Sequence, residues 1–350
     1  MLKRLSLDDF TLFPQGSIAH FAKGINLVVG DNATGKSHLL KAGYASAWLS
    51  YAWGSSMNRP DKQGMQRAFA EKLVGVYKPE TLGHLVRRKK GRGRARLGVV
   101  FFEGGDSSIE GSFSNLADRE VQLETAPVAF LDAPVTFFPT KETLSLFPKF
   151  ASLYRDYHIE LEETYYDLCL ALDRPLPRGP RLEEKKKLMG PLEEMLEGPV
   201  TLESGRFYLT QAGAGKLEAH LLAEGVRKLA TLDYLVANGT LTNNSILFWD
   251  EPESNLNPKL VRKLAMMLCV VAEAGTQVIL ATHSLFLIRE FELLFTDPRW
   301  SKLERHYIGL TRKMQEGIAG IENANSFEDL DIVTALEEEL SQFRQFENLQ

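Results

Sequence analysis

Residues 25–40 read INLVVGDNATGKSHLL, and the reading of this stretch decides the fold. INLVV is an apolar run of the kind that forms a buried strand. GDNATGKS, Gly30 to Ser37, then fits the phosphate-cradling pattern of two glycines, a lysine and a hydroxyl residue. The backbone N–H groups of such a turn, with the N-terminus of the helix that follows, form a fixed anion site. In that pattern Lys36 reaches the outer phosphates of a nucleotide and Ser37 sets its hydroxyl on Mg2+. A strand before the loop and a helix after it are what this chemistry requires. An ordinary strand–turn–helix junction is the weaker reading.

A second apolar run, SILFWDEPESNLNP from residue 245, ends in two adjacent acids, Asp250 and Glu251. Buried carboxylates are costly unless paired, and Mg2+ between Ser37 and a nucleotide is the missing countercharge. Asp250 is expected to support the metal through a coordinated water. Glu251 is expected to orient and deprotonate the attacking water. A third apolar strand, VILATHS, ends at His283. Alone, such a histidine is more often structural, but beside the loop and the two acids a γ-phosphate contact is the better reading.

Composition sets bounds. The chain has 350 residues, 44% hydrophobic and 25% charged, as in an ordinary globular protein. No apolar stretch approaches the about 18 residues of a membrane span. The basic start MLKRLSLDDF lacks the apolar core of a signal peptide. Cys169 and Cys269 lie in apolar surroundings, so neither a disulfide framework nor a zinc site is expected. A cytoplasmic protein with no membrane partner is expected. The formal net charge of −5 gives no global reason to bind nucleic acid.

Along the chain, LKRLSL, SIAHF and GINLVVG read as strands and the segment after the loop as a helix. A second helix is expected over about Met65–Tyr77. Residues 81–135 alternate apolar and polar positions around glycine-rich turns, which predicts an antiparallel sheet subdomain. APVTFFPTKETL reads as a strand leading into a helix. From Leu144 to Gly198 the pattern is helical and charged. Helix and strand alternate thereafter, through RHYIGL to a terminal acidic helix.

The order of phosphate loop, strand ending Asp-Glu-Pro and strand ending His resembles the ATP-binding-cassette (ABC) ATPases. The likeness is strongest to the soluble branch that includes RecF, SMC and OLD-type proteins. Asn32 within the loop and the opening LSLDDFTLF resemble that branch, and ESNLNP resembles its D-loop, with Ser254 and Asn255. The resemblance covers roughly residues 1–45, 130–142 and 215–310. It implies an α/β P-loop NTPase fold: an ABC-type ATPase head with an antiparallel sheet subdomain and a helical insertion. The expected organisation is lobe I over 1–142 carrying an inserted subdomain at 46–129, a helical insertion at 143–212 projecting from the head, and lobe II over 213–350.

The resemblance further implies ATP and Mg2+ as cofactors. It assigns nucleotide contacts to Gly30, Asp31, Asn32, Ala33, Thr34, Gly35, Lys36, Ser37 and His38, with Ser37 and Asp250 on the metal. Glu251 and His283 become the catalytic pair. A signature segment would complete the other subunit's ATP site, and Ala223, Glu224 and Gly225 in LLAEGVRKLATL are its candidates. Ala223 stands where the family has serine, which predicts slower turnover. Pro139, Thr140, Lys141 and Glu142 occupy the turn where the family has a metal-sensing glutamine. A homodimer sandwiching two ATP molecules follows, with higher oligomers left open. OLD-type relatives carry a nuclease domain, for which the short stretch after His283 leaves no room within this chain. The acids Asp329 and Asp331 resemble a metal pair only superficially.

Arg87, Arg88, Lys89, Lys90, Arg92, Arg94 and Arg96 place seven basic residues in RRKKGRGRAR. They are a candidate duplex-DNA contact, against a solvated hairpin tip or a patch for an acidic protein. Two functions follow from the resemblance: a regulator gating a separate effector, as in prokaryotic anti-phage systems, or a RecF-like DNA-maintenance clamp.

Overall fold

The computed structural model describes residues 1–56, 61–102, 107–157, 159–177, 180–313 and 318–331, with residues 342, 344 and 345. Its centre is a six-stranded sheet in the order β14-β13-β3-β12-β11-β7. The strands are β3 (Ile25–Gly30), β7 (Val135–Phe138), β11 (Ile246–Asp250), β12 (Gln277–Thr282), β13 (Arg305–Lys313) and β14 (Ile318–Ala324). The pairings β3–β12, β12–β11, β11–β7 and β13–β3 are parallel, and β14 runs antiparallel to β13. The first four strands are buried at every residue, which explains their unbroken apolar sequences.

Successive residues of these strands enter two different cores. Ile25, Leu27, Val29, Leu247, Trp249, Val278 and Leu280 face one core, and Val28, Ile246, Phe248, Ile279 and Ala281 face the other. This is the period-two alternation of a pleated strand, here apolar on both sides. The first core is closed by α4 (Glu163–Leu172), α5 (Pro180–Leu196), α6 (Glu224–Ala237), α7 (Pro258–Glu273) and α8 (Leu285–Thr296). The second is closed by α1 (Lys36–Ser55), α2 (Lys62–Tyr77) and an antiparallel sheet.

That sheet corrects one expectation. β4 (Arg94–Phe101), β5 (Ile109–Ser114) and β6 (Gln122–Thr125) do form the antiparallel strands expected over 81–135. They join the N-terminal strands β1 (Leu2–Asp8) and β2 (Ser17–His20) in one five-stranded sheet, β2-β1-β4-β5-β6, instead of standing apart. The cause is pairing along the whole length of β1, from Leu2–Phe101 to Asp8–Arg96.

Helix starts follow local chemistry. Asp61 caps α2, accepting from Gly64 N at 2.8 Å, so the helix begins before Met65. Asn257 caps α7 in the same way and Pro258 takes its first turn. Residues 139–149 are turns and loop rather than the start of a helix. Glu142 accepts from Ser145 N there, and Pro148 disfavours helix just before it. The following segment is helical through α3 (Phe150–Tyr157), α4 and α5, but it does not project. Leu168, Leu172, Leu192 and Leu196 are buried in the first core, with α5 lying against α6 and α7. Its last part is β-structure: β8 (Val200–Glu203), β9 (Arg206–Gln211) and β10 (Gly215–Glu218) form an antiparallel meander. The strand β14 was not expected, and the acidic terminal helix falls largely outside the described residues.

A buried charge network ties three helices together. Lys72 of α2, with a fully buried side chain, bonds Glu163 at 2.7 Å and Asp167 at 2.6 Å on α4. Tyr44 of α1 donates to Asp167 at 2.7 Å, and Trp48 lies 3.9 Å from the Lys72 ammonium. No helix among the described residues is long and apolar enough to cross a membrane.

Candidate active site

The C-terminal ends of β3, β11 and β12 lie side by side, with Asp250 level with Ala281 and Thr282 level with Val29. Ligands of open parallel α/β sheets bind at this edge. Gly30 ends β3 where a side chain would meet the Leu310 carbonyl at 2.4 Å. The loop then takes left-handed turns at Ala33 (φ 63°) and Gly35 (φ 102°) before α1 begins at Lys36. Lys36 is buried and donates to the carbonyls of Gly30 at 2.7 Å and Asp31 at 2.8 Å. Burial pulls its pKa down, opposed by Glu251, Asp250, Asp31 and Glu253. Asp31, Asn32 and Ala33 are exposed at the rim. His38 turns inward: its ring meets Tyr77 edge-on, and burial with the Lys41 charge takes its pKa down to about 4.

Asp250 is 7% exposed and its Oδ1 is buried without a hydrogen-bond partner. Burial raises its pKa, with the Ser37 hydroxyl bond acting in the opposite direction. A hydroxyl and a carboxylate with an unsatisfied buried oxygen, opposite a phosphate loop, are the oxygen donors that suit Mg2+. Glu251 leaves the sheet with φ 49°, its N–H bonded to Ala281 O at 2.9 Å. A left-handed non-glycine residue is a strained conformation of the kind that clusters at active sites. The turn sets Glu251 Oε1 3.3 Å from His283 Nδ1. The loop, the two acids and the histidine are therefore brought to one edge.

One acid here was missed in the sequence. Glu253 accepts from Thr282 Oγ1 at 2.5 Å and keeps Oε2 buried without a partner, and burial raises its pKa. The signal was a third acid in the same apolar-flanked turn, DEPE.

The candidate signature segment and the candidate D-loop meet within the chain. Ala223 is the exposed N-cap residue of α6 and supplies no side-chain cap. Asn255 donates to Glu224 at 3.0 Å. The buried Lys228 donates to Ser254 O at 2.8 Å and Oγ at 2.7 Å. A Cβ on Gly225 would meet Leu256 Cδ2 at 2.5 Å and Leu260 Cδ1 at 2.9 Å, so this position faces its own D-loop. Ala223 is exposed on the outward side, and Glu224 is half-buried against Asn255.

The turn after β7 is engaged elsewhere. Glu142 pairs with Arg227 at 2.9 Å, Thr140 O lies 3.3 Å from the Ser254 hydroxyl, and the Lys141 amide bonds Tyr165. The charges acting on Asp250 besides Glu251 are those of Lys41 and Glu162, neither of which the sequence reading marked.

The basic run is partly committed. Arg87 and Lys89 pair with Asp9 at 3.6 and 2.6 Å, and Arg96 pairs with Glu124 at 3.5 Å. Arg94 donates to Ser112 and Gln122. Arg88, Lys90 and Arg92 are exposed. Asp329 accepts from the Ser326 hydroxyl and the Asp331 backbone N–H donates to Glu322, and no cluster of three metal-ligating side chains exists among the described residues.

Comparison with known proteins agrees with this geometry. Residues 162–289 match the family described as "AAA domain, putative AbiEii toxin, Type IV TA system". The Smc head domain of Pyrococcus furiosus, solved with an extended coiled coil and bound to the C-terminal domain of ScpA, aligns over 99% of each chain. Its TM-score is 0.51 at 11% identity. The SMC head domain of Thermotoga maritima aligns over 92% of this chain and 98% of its own, with a TM-score of 0.48 at 18% identity. No curated protein matches the sequence. In fold, the chain is similar to SMC head domains, with the mixed α/β arrangement of a P-loop NTPase.

Proposed function

We propose that this chain binds ATP with Mg2+, hydrolyses it, and uses the cycle as a dimeric gate on a separate effector. The observation that carries the reading is the convergence of Lys36, the Ser37–Asp250 pair and the Glu251–His283 pair on one sheet edge. In this reading the loop amides and Lys36 hold the outer phosphates. Ser37 and Asp250 would hold Mg2+, which when bound neutralises phosphate charge. Glu251 orients a water and accepts its proton, a role that contributes about 10²–10⁴-fold. His283 keeps the Glu251 carboxylate in place and faces the terminal phosphate. Glu251→Gln is expected to keep ATP binding while slowing turnover at least about 10²-fold, whereas Lys36→Ala loses binding. Hydrolysis at the wild-type rate in Glu251→Gln would refute the assignment.

The exposed position of Ala223 supports completion of each site by a second copy. Nucleotide then tightens the dimer by mass action, which light scattering of Glu251→Gln with and without ATP measures. The description of the matched family as a "putative AbiEii toxin, Type IV TA system" supports a multi-component role; we read that role as prokaryotic anti-phage defence and the protein as cytoplasmic. Co-expression with adjacent genes, followed by co-purification, tests for the effector. A RecF-like DNA clamp is the second reading, favoured by exposed Arg88, Lys90 and Arg92.

A further inference from the structure

The Lys72 network fixes α4 against α1 and α2. The residue just before α4, Glu162, reaches α1, where its Oε1 lies 2.5 Å from Lys41 Nζ. Lys41 stands four residues beyond Ser37 on α1, and residues so spaced share one helix face. The ammonium and the hydroxyl bonded to Asp250 therefore point to the same side. The Lys41 side chain is only 10% exposed, so little solvent screens it. Lys41 favours the ionised form of Asp250, and Glu162 opposes it. The Asp250 Oδ1 on which that charge acts is buried without a partner, and an ammonium that closed on it would gain a strong charge-assisted bond. Lys41 is bonded to Glu162 instead.

We propose that Glu162 is a positioning residue for the metal site: by holding Lys41, it keeps the Asp250 carboxylate open to Mg2+. The inference rests on the reading that Ser37 and Asp250 hold Mg2+ with ATP. When Glu162 loses its charge, Lys41 transfers to Asp250 and competes with the cation for the same oxygen. The turn after β7 cannot do this work, because Glu142 is held by Arg227 and by Ser145 N. The pair joins residues 121 apart in sequence, so no local motif announces it.

The test titrates MgCl2 into the full chain with a fluorescent ATP analogue and reads binding, not turnover. Glu162→Gln is expected to raise the half-saturating Mg2+ concentration about tenfold, the scale of one added ammonium near the site. Analogue affinity in EDTA stays at the wild-type value. Lys41→Met, added to Glu162→Gln, returns the Mg2+ dependence to wild type or below, and Glu162→Asp preserves it. An unchanged Mg2+ dependence in Glu162→Gln, or no reversal by Lys41→Met, overturns the proposal. A fall in melting temperature without a Mg2+ shift also overturns it, since that marks a purely structural pair. Failure of the wild type to bind the analogue at any Mg2+ concentration overturns the ATP reading itself.

Discussion

Gly225→Ala isolates the contact between α6, the candidate signature helix, and the candidate D-loop. The added methyl would sit 2.5 Å from Leu256 Cδ2 and 2.9 Å from Leu260 Cδ1. Carbon contacts are favourable near about 3.5–4.0 Å, so Leu256 must retreat by about 1 Å. Overpacking of this kind costs about 1–3 kcal/mol. Replacing a helical glycine by alanine returns up to about 1 kcal/mol, leaving a net loss of about 0–2 kcal/mol. Leu256→Ala alone is also destabilising, by about 1–2 kcal/mol for a half-buried leucine. Together the two changes relieve each other, because the methyl enters the space that the leucine vacates. The double-mutant cycle is therefore expected to show a coupling of about 1–2 kcal/mol in the stabilising direction. Denaturant unfolding of the four proteins measures it. ATP turnover should follow the same pattern, since Leu256 adjoins Asn255, which bonds Glu224. Additive losses in stability would refute the reasoning and turn Gly225 outward, toward a partner.

Asp233 lies in α6 with both carboxylate oxygens buried, and burial, reinforced by Glu193 and opposed by the Val200 backbone N–H, raises its pKa to about 8. The folded protein keeps a proton that the unfolded chain loses at ordinary carboxylate pH, so stability falls as pH rises toward about 8 and levels off above it. Asp233→Asn removes that contribution, at most about 1.4 kcal/mol per pH unit; parallel melting-temperature curves for the two proteins between acid and alkaline pH would refute it. Ala223→Ser supplies the missing cap of α6 and is expected to stabilise by about 0.5–1 kcal/mol in urea unfolding. If duplex DNA binds the basic run, replacing Arg88, Lys90 and Arg92 by Ser should flatten the salt dependence of binding. An unchanged slope in a filter or polarisation assay would leave those residues to solvent or to a protein.

The candidate site at the sheet edge was legible because its chemistry is local. A phosphate loop needs its glycines and lysine within one turn, and strands ending in Asp250 and His283 announce themselves by buried runs that stop at a polar group. The missing parts depend on distant partners. That β4 to β6 extend the sheet of β1 is settled by pairing between residues nearly a hundred positions apart. The β8–β10 meander follows a charged helical stretch whose periodicity dominated the reading. Gly225 marks the signature, but only the packed D-loop shows which way it faces. Glu253, Lys41 and Glu162 look like surface charges until the fold brings Thr282 and Asp250 beside them.

The Lys72 network has a consequence for how this chain can change over time. Removing the lysine alone strands Glu163 and Asp167 in a poorly solvated place, a loss of about 3–5 kcal/mol for a broken buried pair. Removing one acid leaves the ammonium half-satisfied. A wholly apolar replacement of the group can be as stable as the original, yet every single step toward it is costly. Three helices thus share one unit whose charged members are expected to be replaced together rather than singly.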